Sequence, residues 1–311
     1  MTTFHKIKFS VFFIFTGIIF LMPIKAFSQN KDSLSALQVA DSSILNDAAD
    51  TATAKKTTIT LAAIYSNNAS YYGQVAAEKM PYVALNATVQ FPVGIYASAL
   101  TYKLFTNSSF ISAASIGAGY VFDIVKNLTG DVSYHYTFYP KNSPFIQSST
   151  PSLLSAAINY EHLFTTGAMF DYAFGKHSDY FITLTNSKAF DIYLPDNKSI
   201  VSITPGIDIT AGTQQFYETY IKERANNGKG VGSGHNPGKG NPNQQPGIIV
   251  EEISSSKFGL MSYNFKLPVS FARSTYLAEI AYQFSLLHHD VVVEGLSNTH
   301  SFFTVSLYYQ F

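Results

Sequence analysis

Three sets of residues in this sequence have types and spacings that could do chemistry. His288-His289-Asp290 puts two imidazoles beside a carboxylate, donors that suit a transition metal. Neighbours on an extended chain point to opposite faces, so the run ligates only where a turn folds it together, and no metal is expected. Gly228-Lys229-Gly230-Val231-Gly232-Ser233-Gly234 and Gly238-Lys239-Gly240 have the composition of a phosphate cradle. Such a cradle needs a strand before it and a helix after it. Here Asn, Pro and Gln surround the glycines, and 226–247 reads as a low-complexity loop with no assigned role. The third set is scattered: Lys103, Asp131, His135, Glu161, Asp171, Asp208, Lys266 and Glu279 each stand among apolar or aromatic neighbours at alternating positions. A Ser nucleophile with a His base and an orienting group would make a hydrolase. His162 and Ser155 have opposite parity and cannot meet, and no triad is found. The expectation is no enzyme, no catalytic residue and no cofactor.

The scattered charges acquire meaning from the elements that carry them. From Thr57 onward apolar and polar residues alternate with period two, interrupted by turn residues. In residues 299–311, Phe303, Val305, Leu307, Tyr309 and Phe311 share one parity, while His300, Thr304, Ser306 and Gln310 share the other. Such a strand presents an apolar face and a polar face. Twelve strands are predicted, over about 57–72, 81–91, 95–105, 110–123, 128–139, 152–164, 168–175, 179–192, 199–213, 256–268, 275–287 and 299–311. A bare apolar edge at the end of a chain invites aggregation, and pairing the last strand with the first removes it. The predicted fold is all-β: a transmembrane, antiparallel, up-and-down β-barrel of about twelve strands, with ten or fourteen as alternatives. An even number puts both ends on one side. The longer connections, about 73–80, 106–109, 140–151, 176–178, 214–255 and 288–298, then fall outside. The shorter ones, about 92–94, 124–127, 165–167, 193–198 and 269–274, fall inside, the asymmetry of bacterial barrels.

Composition points the same way. Charged residues are 13% of the 311, about half the ~25% of soluble domains. Aromatics reach 15%, with 21 Tyr and 26 Phe. A formal net charge of zero argues against a nucleic-acid partner. The lack of Cys excludes a disulfide framework, a thiolate metal site and a lipidated Cys.

Met1 to Ser28 reads as a secretory signal peptide, with Lys6 and Lys8 before the apolar run Phe9 to Met22 and Ala26-Phe27-Ser28 as the cleavage site. The run falls short of the ~20 residues a spanning helix needs. Residues 29–56, rich in Ala, Ser, Asp and Thr, read as a flexible periplasmic segment.

Two resemblances follow from these residues. The carboxy-terminal Val305, Leu307, Tyr309 and Phe311 resemble the terminal signal by which Gram-negative assembly machinery recognises outer-membrane barrels. The stretch from Tyr82 to about Phe190, with Gly119-Tyr120 and Phe138-Tyr139-Pro140, is similar to TorF-type putative porins. Together they imply the cell outer membrane, with lipid and lipopolysaccharide as surroundings and the barrel assembly machinery as a partner during insertion. The basic residues Lys222, Arg224, Lys229 and Lys239 of the long loop suit lipopolysaccharide or an anionic solute, or are simply solvated. The third set of residues has inward parity and would line the lumen, either filtering solutes by charge or pairing into a packed interior. The expected function is a passive, porin-like channel for small hydrophilic solutes. The alternative is a non-conducting structural or surface-binding barrel, and a lipid hydrolase comes third, although no His-x-Ser-Asn step is present.

Overall fold

The structure is a computed structural model that describes residues 56–76, 78–106, 109–140, 143–195, 198–215, 258–292 and 297–311. The expected signal peptide, all but the last residue of the expected periplasmic segment, and the Gly-rich loop 226–247 lie outside the described residues. The strands are β1 (Thr58–Ser66), β2 (Tyr82–Gln90), β3 (Ile95–Leu104), β4 (Ala113–Val125), β5 (Leu128–Phe138), β6 (Ser152–Glu161) and β7 (Thr165–Phe174). They continue with β8 (Ser178–Ser187), β9 (Phe190–Tyr193), β10 (Ser199–Ile203), β11 (Gly206–Gly212), β12 (Gly259–Arg273), β13 (Tyr276–Leu287) and β14 (Thr299–Gln310).

Two pairs of these segments are single strands with a lapse in hydrogen bonding, which makes the wall a closed antiparallel barrel of twelve strands. Either side of the lapse the register is unchanged: Ile203 faces Val269 and Gly206 faces Lys266, while Phe190 faces Ile203 and Ser187 faces Gly206. Pro205 and Pro268 meet at the gap, and neither has an N–H to donate. Thr204 N–H donates to Pro268 O (3.1 Å) and Lys188 N–H to Pro205 O (3.1 Å). The tenth strand, expected to end at about 268, therefore runs on through Pro268 to Arg273. The inner turn expected over 269–274 shrinks to Ser274-Thr275, with Ser274 at φ 53°. Proline is tolerated there because the partner strand is itself interrupted.

Closure comes from β1 pairing with β14, Thr60 opposite Gln310 through Ser66 opposite Thr304, with Phe311 N–H donating to Ile59 O (2.9 Å). The rim that holds both ends of the barrel chain is called inner here, and the opposite rim outer. Side chains alternate sharply across the wall. Leu85 is 58% exposed and its neighbour Asn86 is 3% exposed. The same holds for Ile158, Ile280 and Leu307 outside against Ala157, Leu277 and Ser306 inside. Ile, Leu, Phe and Tyr thus form a continuous apolar exterior, which a soluble barrel of this size would have to cover.

Strand β1 is shorter than expected. Alternation fails at Asn67-Asn68, and the chain leaves the wall after Ser66 instead of after residue 72. Residues 68–76 then fold into the barrel mouth, where Asn68, Ala69, Ser70, Tyr71, Tyr72, Gln74 and Ala76 are all buried.

Candidate functional site

The interior is built from the inward parity of each strand, and it has two zones. Toward the outer rim it is corked. Tyr71 and Gln74 exchange backbone hydrogen bonds (2.9 and 3.0 Å) around Tyr72 (φ 51°) and Gly73 (φ 85°), a two-residue turn in the left-handed region. Gly73 is needed twice over, because a Cβ there would lie 2.9 Å from the Cβ of Ser262. The Tyr72 ring stacks on Phe181 at 3.9 Å, and Tyr71 meets Phe181 edge-on at 5.7 Å. The Tyr72 hydroxyl donates to Asp171 Oδ2 (2.6 Å), and Ser262 Oγ donates to Tyr72 O (2.9 Å). Tyr72 follows the first strand, and Asp171 is on the seventh of twelve, across the bore. Burial, helped by the nearby Asp171 carboxylate, holds the Tyr71 phenol well above its ordinary pKa, so it stays neutral.

Two further connections complete the cork. A short 3-10 turn, η1 (Ile146–Ser149), follows the buried Phe145, whose ring meets Tyr102 edge-on at 5.7 Å. Val291 packs into the same apolar cluster, with Leu104, Phe181, Met261 and Leu287 from the wall. Met261 points inward because the register between β11 and β12 shifts at Thr210/Ala211, which lets both Met261 and Ser262 face the interior.

Toward the inner rim the lining is polar. Lys266 Nζ lies 2.5 Å from Asp208 Oδ2 across the β11–β12 pair. Asp131 accepts from the Tyr96 hydroxyl (3.2 Å), and His135 Nε2 is 3.5 Å from Ser98 Oγ. Asp171 accepts from Ser155 as well as Tyr72. Glu279 stands on the inner face between its register partners Ser270 and Ser306. Glu161 has inward parity at the inner end of β6. Asn264 gathers Ser285 Oγ (2.5 Å) and donates to Ser262 Oγ (3.1 Å), which links the polar zone to the cork.

One of the expected lining residues is elsewhere. Lys103 lies on the outer face of β3, opposite outward Val83, and its ammonium donates to Ser109 O. The inward positions of that strand are Tyr96, Ser98, Leu100, Tyr102 and Leu104, which supply much of the cork's wall. Both faces of β3 are largely apolar, so parity alone assigned the wrong side. Ser98 and His135 approach each other, but both face the interior, away from the lipid side where an acyl ester would arrive. His162 sits in an inner turn with Nε2 at 3.0 Å from Thr166 Oγ1, remote from Ser155. Leu307, Tyr309 and Phe311 are exposed on the outer face, and Val305 is half-buried there. Sequence reasoning missed Tyr72, Gly73 and Phe181. The break in alternation at Asn67-Asn68 was the available signal.

No family model and no curated protein matches the sequence. Among solved structures the chain is similar to the KdgM porin, at 8% identity and TM-score 0.45, over 82% of this chain and 99% of that one. It is also similar to the NanC porin, at 10% identity and TM-score 0.44, over 81% and 98%. An outer membrane channel from Pseudomonas putida F1 aligns at 10% identity and TM-score 0.43, over 84% and 99%. No residue role is transferred from these likenesses, and the architecture stands on the strand pairing described above.

Proposed function

We propose that the chain is an outer-membrane, porin-like barrel: a passive channel for small hydrophilic solutes, closed at its outer mouth by residues 68–76. The observation that carries this is the polar inner zone. Lys266, Asp208, Glu279, Asp131, Ser270 and Ser306 face inward beneath an apolar cork, a polar lining of both charge signs that suits a hydrophilic solute. The apolar exterior and the even strand count suit insertion in the outer membrane, with lipopolysaccharide outside and the carboxy-terminal strand as the assembly signal. The resemblance to TorF-type porins belongs to this reading.

A second reading has its own observation. Tyr72 crosses the bore to Asp171 and stacks on Phe181, and such packing suits a barrel that never opens and binds partners through its outer loops. Planar-bilayer recording separates the two. The wild-type protein is expected to give rare openings. A variant with 69–79 replaced by a short Gly-Ser turn is expected to give a steady conductance. A folded variant that stays silent overturns the channel and leaves the structural barrel. Release of fatty acid from labelled phospholipid would reinstate an enzyme.

A further inference from the structure

The connection after β13 is pinned so that three metal-type donors converge. Leu287 N–H donates to Asn298 O (2.7 Å) and His288 N–H to Met261 O (2.8 Å), which ties the start of the segment to the wall. Val291, 6% exposed, anchors its end in the apolar cork, and its N–H donates to His288 O (3.1 Å). Between these anchors His289–Val291 form a 3-10 turn, η2. The turn undoes the divergence that an extended chain would impose. His288, His289 and Asp290 bring one donor atom each to within 4.8 Å of one another. His289 Nε2 is 2.7 Å from Asp290 Oδ1, and His288 Nδ1 is 3.4 Å from Asp290 Oδ2. The two imidazole centroids are 4.2 Å apart. His288 Nδ1 is a buried atom with no hydrogen-bond partner. A buried ring nitrogen that faces a carboxylate without a hydrogen bond is unsatisfied as it stands. A cation between the two groups would satisfy both.

We propose that His288, His289 and Asp290 bind one divalent transition-metal ion at the outer mouth. Two imidazole nitrogens and a carboxylate oxygen suit zinc, nickel or copper, whereas calcium and magnesium prefer all-oxygen shells. A tetrahedral ion with ligands at about 2.0–2.2 Å sets its donors about 3.3 Å apart. The His288–Asp290 pair already has that spacing, and His289, with its side chain 81% exposed, is free to rotate into place. The side chains of His289 and Asp290 are 81% and 69% exposed, so the ion would be reached directly from solvent. This site does not depend on whether the barrel conducts.

The test is calorimetric titration of the detergent-extracted protein, without a polyhistidine tag, with Zn2+ near neutral pH in excess Mg2+. One ion per chain is expected. His288→Ala, His289→Ala and Asp290→Asn should each weaken binding by no less than the roughly 10-fold that follows loss of groups that merely orient ligands. His162→Ala/His177→Ala, which removes exposed histidines elsewhere, should leave binding unchanged. Absence of saturable binding overturns the proposal, as does binding that survives His288→Ala/His289→Ala. Heat-dependent gel mobility checks that each variant is folded.

Discussion

A Cβ built on Gly117 would overlap the ring of His135, so on the inner face of the β4–β5 pair the histidine fills the volume another residue would need. Gly117→Val is therefore expected to destabilise the barrel by about 1–3 kcal/mol through overpacking, read as a lower temperature for the shift in gel mobility. Ala118→Val, one position along and on the lipid side, should change that temperature little. Tyr72 is the second sensitive residue. Removing its hydroxyl takes a donor from Asp171, at a cost of about 1.5–3 kcal/mol for a bond to a charged group. On the channel reading proposed above, Tyr72→Phe should thus raise the open fraction about tenfold or more by that energy, seen as more frequent openings in bilayers. Single residues were unevenly legible. Asp131, Asp171 and Asp208 stand in strands with one apolar face, so parity placed them inward. Lys103 stands in a strand where Ile95, Ala97 and Ala99 compete with Tyr96, Leu100 and Tyr102, and only the packing of the cork decides the side.

Elements were read more securely than residues, because a strand in a barrel wall must alternate along its whole length between two solvents. Strand β14 shows the rule, with Phe303, Leu307 and Tyr309 exposed and Phe302, Ser306 and Gln310 buried. Leu307→Arg is expected to cost about 2–4 kcal/mol if residue 307 lies near the bilayer midplane. Ser306→Ala, one step away on the lumen side, should be nearly silent in the same denaturant titration. Two features escaped the alternation. The 68–76 segment has no period of its own, because its partners Asp171, Phe181 and Ser262 come from strands far along the chain. The tenth strand reads as ending near 268, yet it continues to Arg273 because Pro268 is accommodated by a gap in the partner strand that residues around 268 do not announce.

At the scale of the whole molecule the twelve-strand ring depends on one seam. The β1–β14 pairing runs in register from Thr60–Gln310 to Ser66–Thr304, and hydrogen bonds from Phe311 N–H to Ile59 O and from Asn67 N–H to Phe303 O extend it at either end. Deleting 299–311 is expected to abolish the heat-modifiable form altogether instead of yielding an eleven-strand barrel, since both new edges would be apolar and unpaired. The Tyr72 cork adds a condition of timing. Its tyrosine belongs to the first hairpin, while the surfaces it leans on belong to the seventh, eighth and tenth strands. A half-inserted ring offers it no seat, so the stopper is set only after most of the wall stands, and every nascent barrel passes through an unsealed stage.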